Sequence, residues 1–310
     1  MNIDQAIEEY VAYKQSLGMQ FHSPAVKLKA MAKAVGHVEI RAISAEALRG
    51  FLDRSRTNAD WFAKYNAVAP FFRYARSRGY ITANVLPLSL PKQGDKFRPY
   101  IFSLRDMQEL VRVADNRHRG SWHMEPFTAR VLLLLLYGTG LRISEALRLQ
   151  HRDVDLKEAI LTIRETKFFK SRLVPVGPEL AEVLRTYFIR KWGSRDCGPE
   201  SPFLATYDGR PVTRQTAELT YKRLRDEAAV SRNDGATFQP RLHDLRHTFA
   251  VTRLVSWYRE GKDVQRLLPH LSTYLGHVRI QETTRYLTMT TELLEEAGSR
   301  FERYATGGAQ

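Results

Sequence analysis

Apolar residues recur at helical spacing throughout the first ninety residues of the chain. The pattern predicts four or five amphipathic helices, the first of which should stop at Gly18. Ser23 and Pro24 suit the N-cap and first position of the next helix, which should close at Gly36. A third helix should begin at Ser44. The apolar stripe of the first helix consists of Ile3, Ile7, Tyr10 and Leu17.

The segment ADWFAKYNAVAPFFRYARSRGY, residues 59–80, predicts another helix of this region. Pro70 should kink or divide it, because a proline inside a helix removes a hydrogen bond and clashes with the preceding turn. We expect the aromatic residues to lie in the core rather than to stack on nucleic-acid bases. The residues at helical spacing are Trp61, Tyr65, Val68 and Phe72.

The segment NVLPLSLPKQGDKFRPY, residues 84–100, has three prolines, a glycine and no helical period. Such composition is typical of a linker between domains. We therefore divide the chain into a helical domain (1–90), a linker (91–102) and a second domain (103–310).

The second domain should be mainly helical with a small β-hairpin or sheet. Ser103 is placed to cap LRDMQELVRVAD, and FTARVLLLLLYGTG predicts a fully buried helix. The alternating, β-branched segment AILTIRETKFFKSRLVPVG predicts the hairpin. Helices resume at PELAEVLRTYFIRKW, TRQTAELTYKRLRDEA, HDLRHTFAVTRLVSWY and QETTRYLTMTTELLEEAGSRFERY. The predicted fold class is thus mainly α.

The composition indicates a polyanionic partner. With 48 Lys and Arg against 34 Asp and Glu, the net charge is +14, and both halves of the chain are cationic. Nucleic acid is the first partner to consider. The single Cys197 excludes an internal disulfide framework, and no Cys or His cluster indicates structural zinc. The acidic N-terminus and the absence of a long apolar run predict a cytoplasmic protein without a membrane segment, and a nucleic-acid partner would place it with the nucleoid.

Two segments place imidazoles near groups that suit phosphate chemistry. In HDLRHTFA, residues 243–250, His243 and Arg246 are three positions apart, so on a helix both side chains could face one anion. Alone, this segment is equally consistent with a partly buried helix whose histidine bonds to the backbone. In LGHVRIQETTRYLT, His277 follows a glycine turn and Tyr286 lies nine positions later.

A third segment, YGTGLRISEALRL, offers a second arginine. Gly138 and Gly140 should form a tight turn, after which Arg142 begins a helix whose N-terminus could face the same anion. Glu145 lies three residues further on. It could hold Arg142 in place, or the two could form an ordinary surface ion pair.

Taken in order, these segments resemble those of the tyrosine recombinase, or phage integrase, family. That family has an arginine in TGLRxSE, a lysine on a β-hairpin before RxVP, an HxLRH block, an LGH block, and a tyrosine nine positions after the last histidine. All five occur between residues 138 and 286. The resemblance implies a two-domain clamp around duplex DNA, with a SAM-like core-binding domain and a larger catalytic domain that carries a C-terminal tail helix.

Carried over residue by residue, the resemblance assigns six catalytic residues. The hairpin sequence TKFFKSRLVP differs from the sequence that is usual in the family. Counting back from SRLVP favours Lys167 over Lys170 as the catalytic lysine. The offset favours Tyr286 over Tyr258 and Tyr274. The full set is Arg142, Lys167, His243, Arg246, His277 and Tyr286, with Glu145 in support.

These residue types suit attack on a phosphodiester. The two arginines and His277 would stabilise the charge that develops on the non-bridging oxygens. Tyr286 would form a 3′-phosphotyrosine, with His243 accepting its proton and Lys167 protonating the 5′-oxygen. The retained bond energy would permit religation without ATP. Because no paired carboxylates at metal-binding spacing are evident, neither a metal nor another cofactor is expected.

Base contacts are expected from TRQTAELTYKRLRDEA, although an ordinary solvated helix is about as consistent with this segment. The candidates are Arg214, Gln215, Lys222 and Arg223. The tail helix carries Leu293, Leu294, Phe301 and Tyr304. In the family such a segment docks on a neighbouring protomer, which implies a homo-tetramer on two DNA sites. Packing of the tail within its own chain is the alternative.

The helical domain starts almost at Met1, so we expect no additional arm-binding module and favour simple inverted-repeat core sites. Accessory recombination proteins are candidate partners. Two other functions stay open. A type IB topoisomerase resembles the family in its catalytic set but relaxes supercoils as a monomer, and a DNA-binding protein without catalytic activity would leave the six residues unexplained.

Overall fold

The computed structural model describes residues 1–92, 97–116, 124–164, 171–193, 197–288, 293 and 295. Within these ranges the chain is mainly helical and contains a three-stranded antiparallel sheet. The mainly α fold predicted from the sequence is therefore confirmed. The chain separates into two compact units, the second of which begins at Phe97. No helix in the described ranges is both long and apolar enough to cross a membrane.

Four helices pack together in the first unit, as described over residues 1–92. They are α1 (Ile3–Ser16), α2 (His22–Val35), α3 (Ala45–Asp53) and α4 (Asn58–Ser77). Their apolar faces form one core that includes Trp61, Val68 and Phe72, as the helical spacing predicted. Ser44 caps α3 as expected, because its hydroxyl accepts a hydrogen bond from the Ala47 N–H at 3.0 Å.

Local details of this unit depart from the prediction. Ser23 is not the N-cap of α2: Phe21 takes that position with a left-handed φ of 50°, and its ring packs edge-on against Tyr10 at 5.5 Å. The partly buried ring packs against the core, and this packing outweighs the local capping preference. Leu17 lies beyond the end of α1 and is exposed. Pro70 does not divide α4, which continues to Ser77.

The second unit contains further helices and the small sheet. The helices are α5 (Leu104–Asp115), α6 (Pro126–Thr139), α7 (Ile143–Ala146), α8 (Pro178–Trp192), α9 (Arg214–Glu227), α10 (Asp244–Arg259), α11 (Val264–Leu275) and α12 (Gln281–Thr284). The strands are β1 (Val154–Asp155), β2 (Ile160–Ile163) and β3 (Arg172–Pro175), paired antiparallel in that order. Leu161 of β2 lies opposite Val174 of β3. The predicted hairpin is present as β2 and β3.

Helix α6 lies at the centre of the second unit and packs against α5, α8 and α10. Its leucines are buried, so the apolar run VLLLLLY forms a core helix. The helix ends at Gly140, which has a φ of 62° and lies so close to α10 that a Cβ would be 2.6 Å from Phe249 Cδ1. Only glycine fits at this point, where the chain turns into the candidate site.

Several boundaries in the second unit differ from the prediction. Gly138 lies inside α6, so Gly140 alone forms the left-handed turn. Helix α11 was not predicted, because Pro269 interrupts its apolar pattern. The helix predicted from Gln281 begins as the short α12 and changes to a 3-10 turn at residues 285–288. Residues 293 and 295 are helical, and the rest of the predicted helix lies outside the described residues.

Candidate active site

Arg246 lies in the first turn of α10 and is only 2% exposed. Its Nη1 donates to the Gly140 carbonyl oxygen at 2.8 Å, and its Nη2 donates to the Leu275 carbonyl oxygen at 2.7 Å. Burial and the nearby charge of Arg142 lower the pKa of Arg246 to about 10. The guanidinium therefore stays charged at neutral pH, fixed between the ends of α6 and α11.

Arg142 precedes α7 and is held by Glu145. Its Nη1 donates to Glu145 Oε1 at 2.9 Å, and its main-chain N–H donates to Glu145 Oε2 at 3.0 Å. A further bond runs from Arg142 Nη2 to the Gly276 carbonyl oxygen at 3.1 Å. The side chain of Arg142 is 32% exposed, whereas that of Glu145 is 3% exposed. This is not a surface ion pair: the carboxylate is buried and the guanidinium reaches the surface.

Arg172, at the start of β3, contacts the same carboxylate. Its Nη2 lies 2.9 Å from Glu145 Oε2 and its Nη1 lies 3.2 Å from Oε1. Burial alone would raise the pKa of Glu145, but hydrogen bonds and charge from Arg172 and Arg142 outweigh it and lower this pKa to about 2. In the sequence, SRLVP served only to distinguish two lysines, and no local pattern assigned a role to Arg172.

The C-terminus of α11 gathers the three arginines. Consecutive carbonyl oxygens of Tyr274, Leu275 and Gly276 accept hydrogen bonds from Arg172 Nε, Arg246 Nη2 and Arg142 Nη2, respectively. Carbonyl groups at a helix C-terminus lack helical partners and carry the negative end of the helix dipole. One helix end therefore fixes the positions of three cations, which we call the arginine cluster (Arg142, Arg172 and Arg246).

His277 follows directly after this helix end. Its Nδ1 lies 2.7 Å from the hydroxyl of Thr283. Burial, followed by the charges of Arg246 and Arg142, lowers the pKa of His277 to about 3. The imidazole is therefore neutral at pH 7, and its orientation is set by α12.

Tyr286 lies in the 3-10 turn after α12 and is 3% exposed. Its ring stacks on that of His277, with centroids 6.1 Å apart and planes 20° apart. Burial raises the pKa of Tyr286, while the charge of Arg246 and a polar contact with it act in the opposite direction. The structure thus brings Tyr286, His277, Arg246 and Arg142 together within one chain.

Comparison with known proteins identifies the family. Residues 103–292 match the model of the phage integrase family. Over 306 residues, which make up 96% of both chains, the sequence is 36% identical to y4rB of Sinorhizobium fredii, a protein named as an integrase/recombinase. The chain belongs to the phage integrase family.

Members of the phage integrase family are tyrosine recombinases, so the activity of this chain is site-specific DNA recombination. Its fold is similar to that of the Tn1549 transposon integrase solved with a circular intermediate DNA (TM-score 0.72, 15% identity, 98% of this chain and 99% of that chain). It is also similar to the lambda integrase tetramer bound to a Holliday junction (TM-score 0.63, 15% identity, 92% of this chain and 77% of that chain).

Two catalytic candidates of this phage integrase remain, His243 and Lys167. His243 caps α10 and is exposed. The protein atoms that replace part of its water, then Arg246 and Arg241, lower its pKa to about 4. Lys167 and its alternative Lys170 lie outside the described residues.

The ring of His247, a residue with no role predicted from the sequence, lies between two of the candidates. Ring centroids are 5.0 Å apart for His243 and His247, and 5.6 Å apart for His247 and Tyr286. Within the described part of the chain, the buried Nδ1 of His247 has no hydrogen-bond partner. Its place directly after Arg246 in HDLRHTFA was the only signal in the sequence that could have drawn attention to it.

A cleft of about 610 Å³ connects the site to helix α9. Its lining includes Arg142 and His243 from the site and Arg214 and Lys222 from α9. Gln215 and Arg223, the other two candidates for base contacts, are exposed on α9 but do not line this cleft. The cleft gives an anionic ligand a cationic route to Arg142.

The tail is described at few positions. Leu293 is completely buried in a cluster with Phe249, Leu271 and Tyr286 of its own chain. For Leu293 this burial agrees with the alternative in which the tail packs within its own chain. Leu294, Phe301 and Tyr304 lie outside the described residues.

Among the residues that the structure describes, no group of three or more His, Cys, Asp or Glu side chains is arranged to hold a metal ion.

Proposed function

We propose that this phage integrase cleaves and rejoins DNA through a covalent bond between Tyr286 and a 3′-phosphate, without metal or ATP. The main support is the proximity of Tyr286 and Arg246 within one chain, where the guanidinium opposes the rise in the pKa of the buried phenol. A nucleophile and a cation suited to phosphate are thus already neighbours.

Arg142, Arg246 and His277 bind the non-bridging oxygens of the scissile phosphate in this proposal. Negative charge grows there as the phenolate attacks, and cations that are already fixed stabilise it by several kcal/mol without reorganising. In this proposal the Thr283 hydroxyl, 2.7 Å from Nδ1 of His277, donates to that nitrogen, so the neutral ring carries its proton on Nε2 and donates it to a phosphate oxygen.

Two proton transfers complete the reaction. His243 accepts the proton of Tyr286, and Lys167 protonates the 5′-oxygen that leaves. The phosphotyrosine bond replaces the broken phosphodiester, so a 5′-hydroxyl from another strand can reverse the step without ATP. Strand exchange follows when the second 5′-hydroxyl belongs to a different duplex.

DNA binding and assembly follow the same proposal. Residues 1–90 act as the core-binding domain, residues 91–102 as the linker, and residues 103–310 as the catalytic domain. Arg214, Gln215, Lys222 and Arg223 contact the duplex. The chain is a monomer or dimer when free and a homo-tetramer on two inverted-repeat sites, in line with the lambda integrase tetramer. Accessory recombination proteins and association with the nucleoid belong to this proposal.

Covalent trapping tests the proposal. Nicked suicide duplexes built on inverted repeats from the DNA that flanks the gene should give an SDS-resistant adduct in the presence of EDTA. A Tyr286→Phe variant should give none, whereas Tyr258→Phe and Tyr274→Phe should still form the adduct. An adduct with Tyr286→Phe identifies another nucleophile. Relaxation of plasmids that lack a site would favour a topoisomerase, and absence of any wild-type adduct would favour DNA binding alone.

A further inference from the structure

Arg172 is buried among the catalytic candidates, although no step of the proposed reaction uses it. We propose that Arg172 is a positioning residue: it neutralises Glu145 and holds the end of α11, so that the positive charge of Arg142 is available to the DNA phosphate. This inference rests on the proposed roles of Arg142 and Tyr286.

The contacts of Arg172 indicate that it does not bind DNA itself. All three of its guanidinium nitrogens are engaged: Nη1 and Nη2 by Glu145, and Nε by the Tyr274 carbonyl oxygen at 2.8 Å. Its side chain is 10% exposed, against 32% for Arg142. Paired, planar contacts of this kind fix both partners, because the fork of a guanidinium matches the two oxygens of a carboxylate.

The charge balance explains why a second arginine is needed. Glu145 carries one negative charge within reach of the proposed phosphate, and it contacts both Arg142 and Arg172. Without Arg172, the carboxylate would cancel the charge of Arg142. The pair would then have no net charge, and the phosphate would lose the attraction of one positive unit. With Arg172 present, the three groups keep a net charge of one positive unit.

Arg172 also fixes the backbone on which Arg142 and His277 depend. A Cβ added to Gly276 would lie 2.7 Å from Arg172 Nη1 and 2.8 Å from its Cζ, so the guanidinium packs directly against this glycine. The Gly276 carbonyl oxygen accepts from Arg142, and His277 is the next residue. Arg172 therefore acts on the phosphate indirectly, through Gly276, whose carbonyl oxygen holds Arg142 and whose next residue is His277.

The test compares trapping rates of wild type, R172M, R172K, E145Q and the double variant R172M/E145Q on the suicide duplex. R172M should slow trapping by about 100-fold, with only a few-fold change in noncovalent DNA affinity. R172K, which keeps the charge but cannot bind both oxygens and Tyr274, should be intermediate. R172M/E145Q should react faster than R172M, because the uncompensated carboxylate is gone.

The pH profile separates this role from a merely structural one. In R172M, lowering the pH from 7 to 5 should recover part of the lost rate as Glu145 becomes protonated, and R172M/E145Q should show no such recovery. Among the described residues, the other titratable or charged groups around Glu145 are Arg142, Arg246, His277 and, across an adjoining cleft, Arg148, Arg152, Asp153 and Arg164. Both variants retain all of these groups. Their titration therefore cancels when the trapping rate of R172M is divided by that of R172M/E145Q at each pH.

R148M is the matched control. Arg148 is exposed beside the same cleft, and its Nε donates to the Ser144 carbonyl oxygen at 3.0 Å. Replacement of Arg148 removes one positive charge, but the trapping rate of R148M should not rise when the pH is lowered from 7 to 5. If R172M does not fold, as judged by circular dichroism, R172Q removes the charge while keeping a hydrogen-bond donor.

Trapping of R172M within about twofold of wild type would overturn the inference, and so would a slow rate that neither low pH nor E145Q improves. If the wild type forms its adduct at Tyr286, either of these results refutes only the role of Arg172. Absence of any adduct from the wild type refutes the proposed function instead.

Discussion

The guanidinium of Arg142 donates to the carbonyl oxygen of Gly276 at 3.1 Å and so joins two segments that are 134 positions apart in the chain. Gly276 has a φ of 69° and packs against Arg172, which leaves no space for a side chain. The geometry of the arginine cluster thus depends on a residue that has no side chain of its own.

Gly276→Ala should lower both stability and activity. The left-handed φ costs an alanine about 1 kcal/mol, and displacement of Arg172 by the methyl group adds to this. Gly261→Ala is the control, because Gly261 has nearly the same φ, 68°, and nothing lies within 4 Å of its added Cβ. Urea denaturation and adduct trapping should show the larger loss of both properties in Gly276→Ala; equal losses would contradict a role for the contact.

Glu145→Gln should alter stability in a pH-dependent manner. The native pKa of Glu145 is lowered from 4.5 to about 2. The ionised carboxylate therefore stabilises the fold fully above pH 4.5, and this contribution is lost as the pH falls from 4.5 to 2. The gap in unfolding free energy between wild type and Glu145→Gln, about 3 kcal/mol at pH 7 from linkage, should narrow between pH 4.5 and 3. A gap that stays constant over this range would contradict the assignment.

The three histidines of the site should be neutral at pH 7. The pKa of His243 is lowered to about 4, and those of His247 and His277 to about 3, in each case first because protein atoms displace water around the ring. Their contribution to stability is complete above pH 6.5 and is lost as the pH falls toward the native values, because the unfolded chain takes up protons first. Histidine-selective NMR should detect no titration of these rings between pH 5.5 and 8. A midpoint near 6.5 for any of them would refute this.

Substitutions on α9 should change DNA affinity in opposite directions. Lys222→Ala removes a cation from the cleft beside Arg142 and should weaken binding, lowering the salt-dependence slope by about 0.9. Glu218→Gln should strengthen binding, because it releases Arg214 from an ion pair of 2.7 Å. Fluorescence anisotropy over a range of salt concentrations measures both effects. Identical slopes for Lys222→Ala and wild type would exclude a phosphate contact.

The sequence predicted those features that depend on neighbouring residues. Ser103 caps α5 and Gly36 ends α2, because a hydroxyl or a flexible backbone has a local effect. Arg142, Arg246, His277 and Tyr286 could be selected as candidates for the same reason: each belongs to a short segment with recognisable local chemistry. The resemblance to the phage integrase family then joined segments that local patterns alone leave separate.

Features that depend on distant contacts were not predictable in this way. Arg172 meets Glu145 across 27 positions and Tyr274 across 102. No local pattern marks such a partner. Helix α11 contains Pro269, which argues against a helix until its packing against α10 and β3 is known. The left-handed Phe21 likewise reflects the place of its ring in the core.

The burial of Tyr286 has a consequence for the free protein. Only 3% of this residue is exposed, so a strand that merely touches the surface finds no reactive oxygen there. With the role proposed for it, the phenol reacts only with a phosphate that is brought to the buried oxygen beside Arg246, so contact with the surface alone should not lead to cleavage. A cell could then store many copies of this protein without accumulating strand breaks.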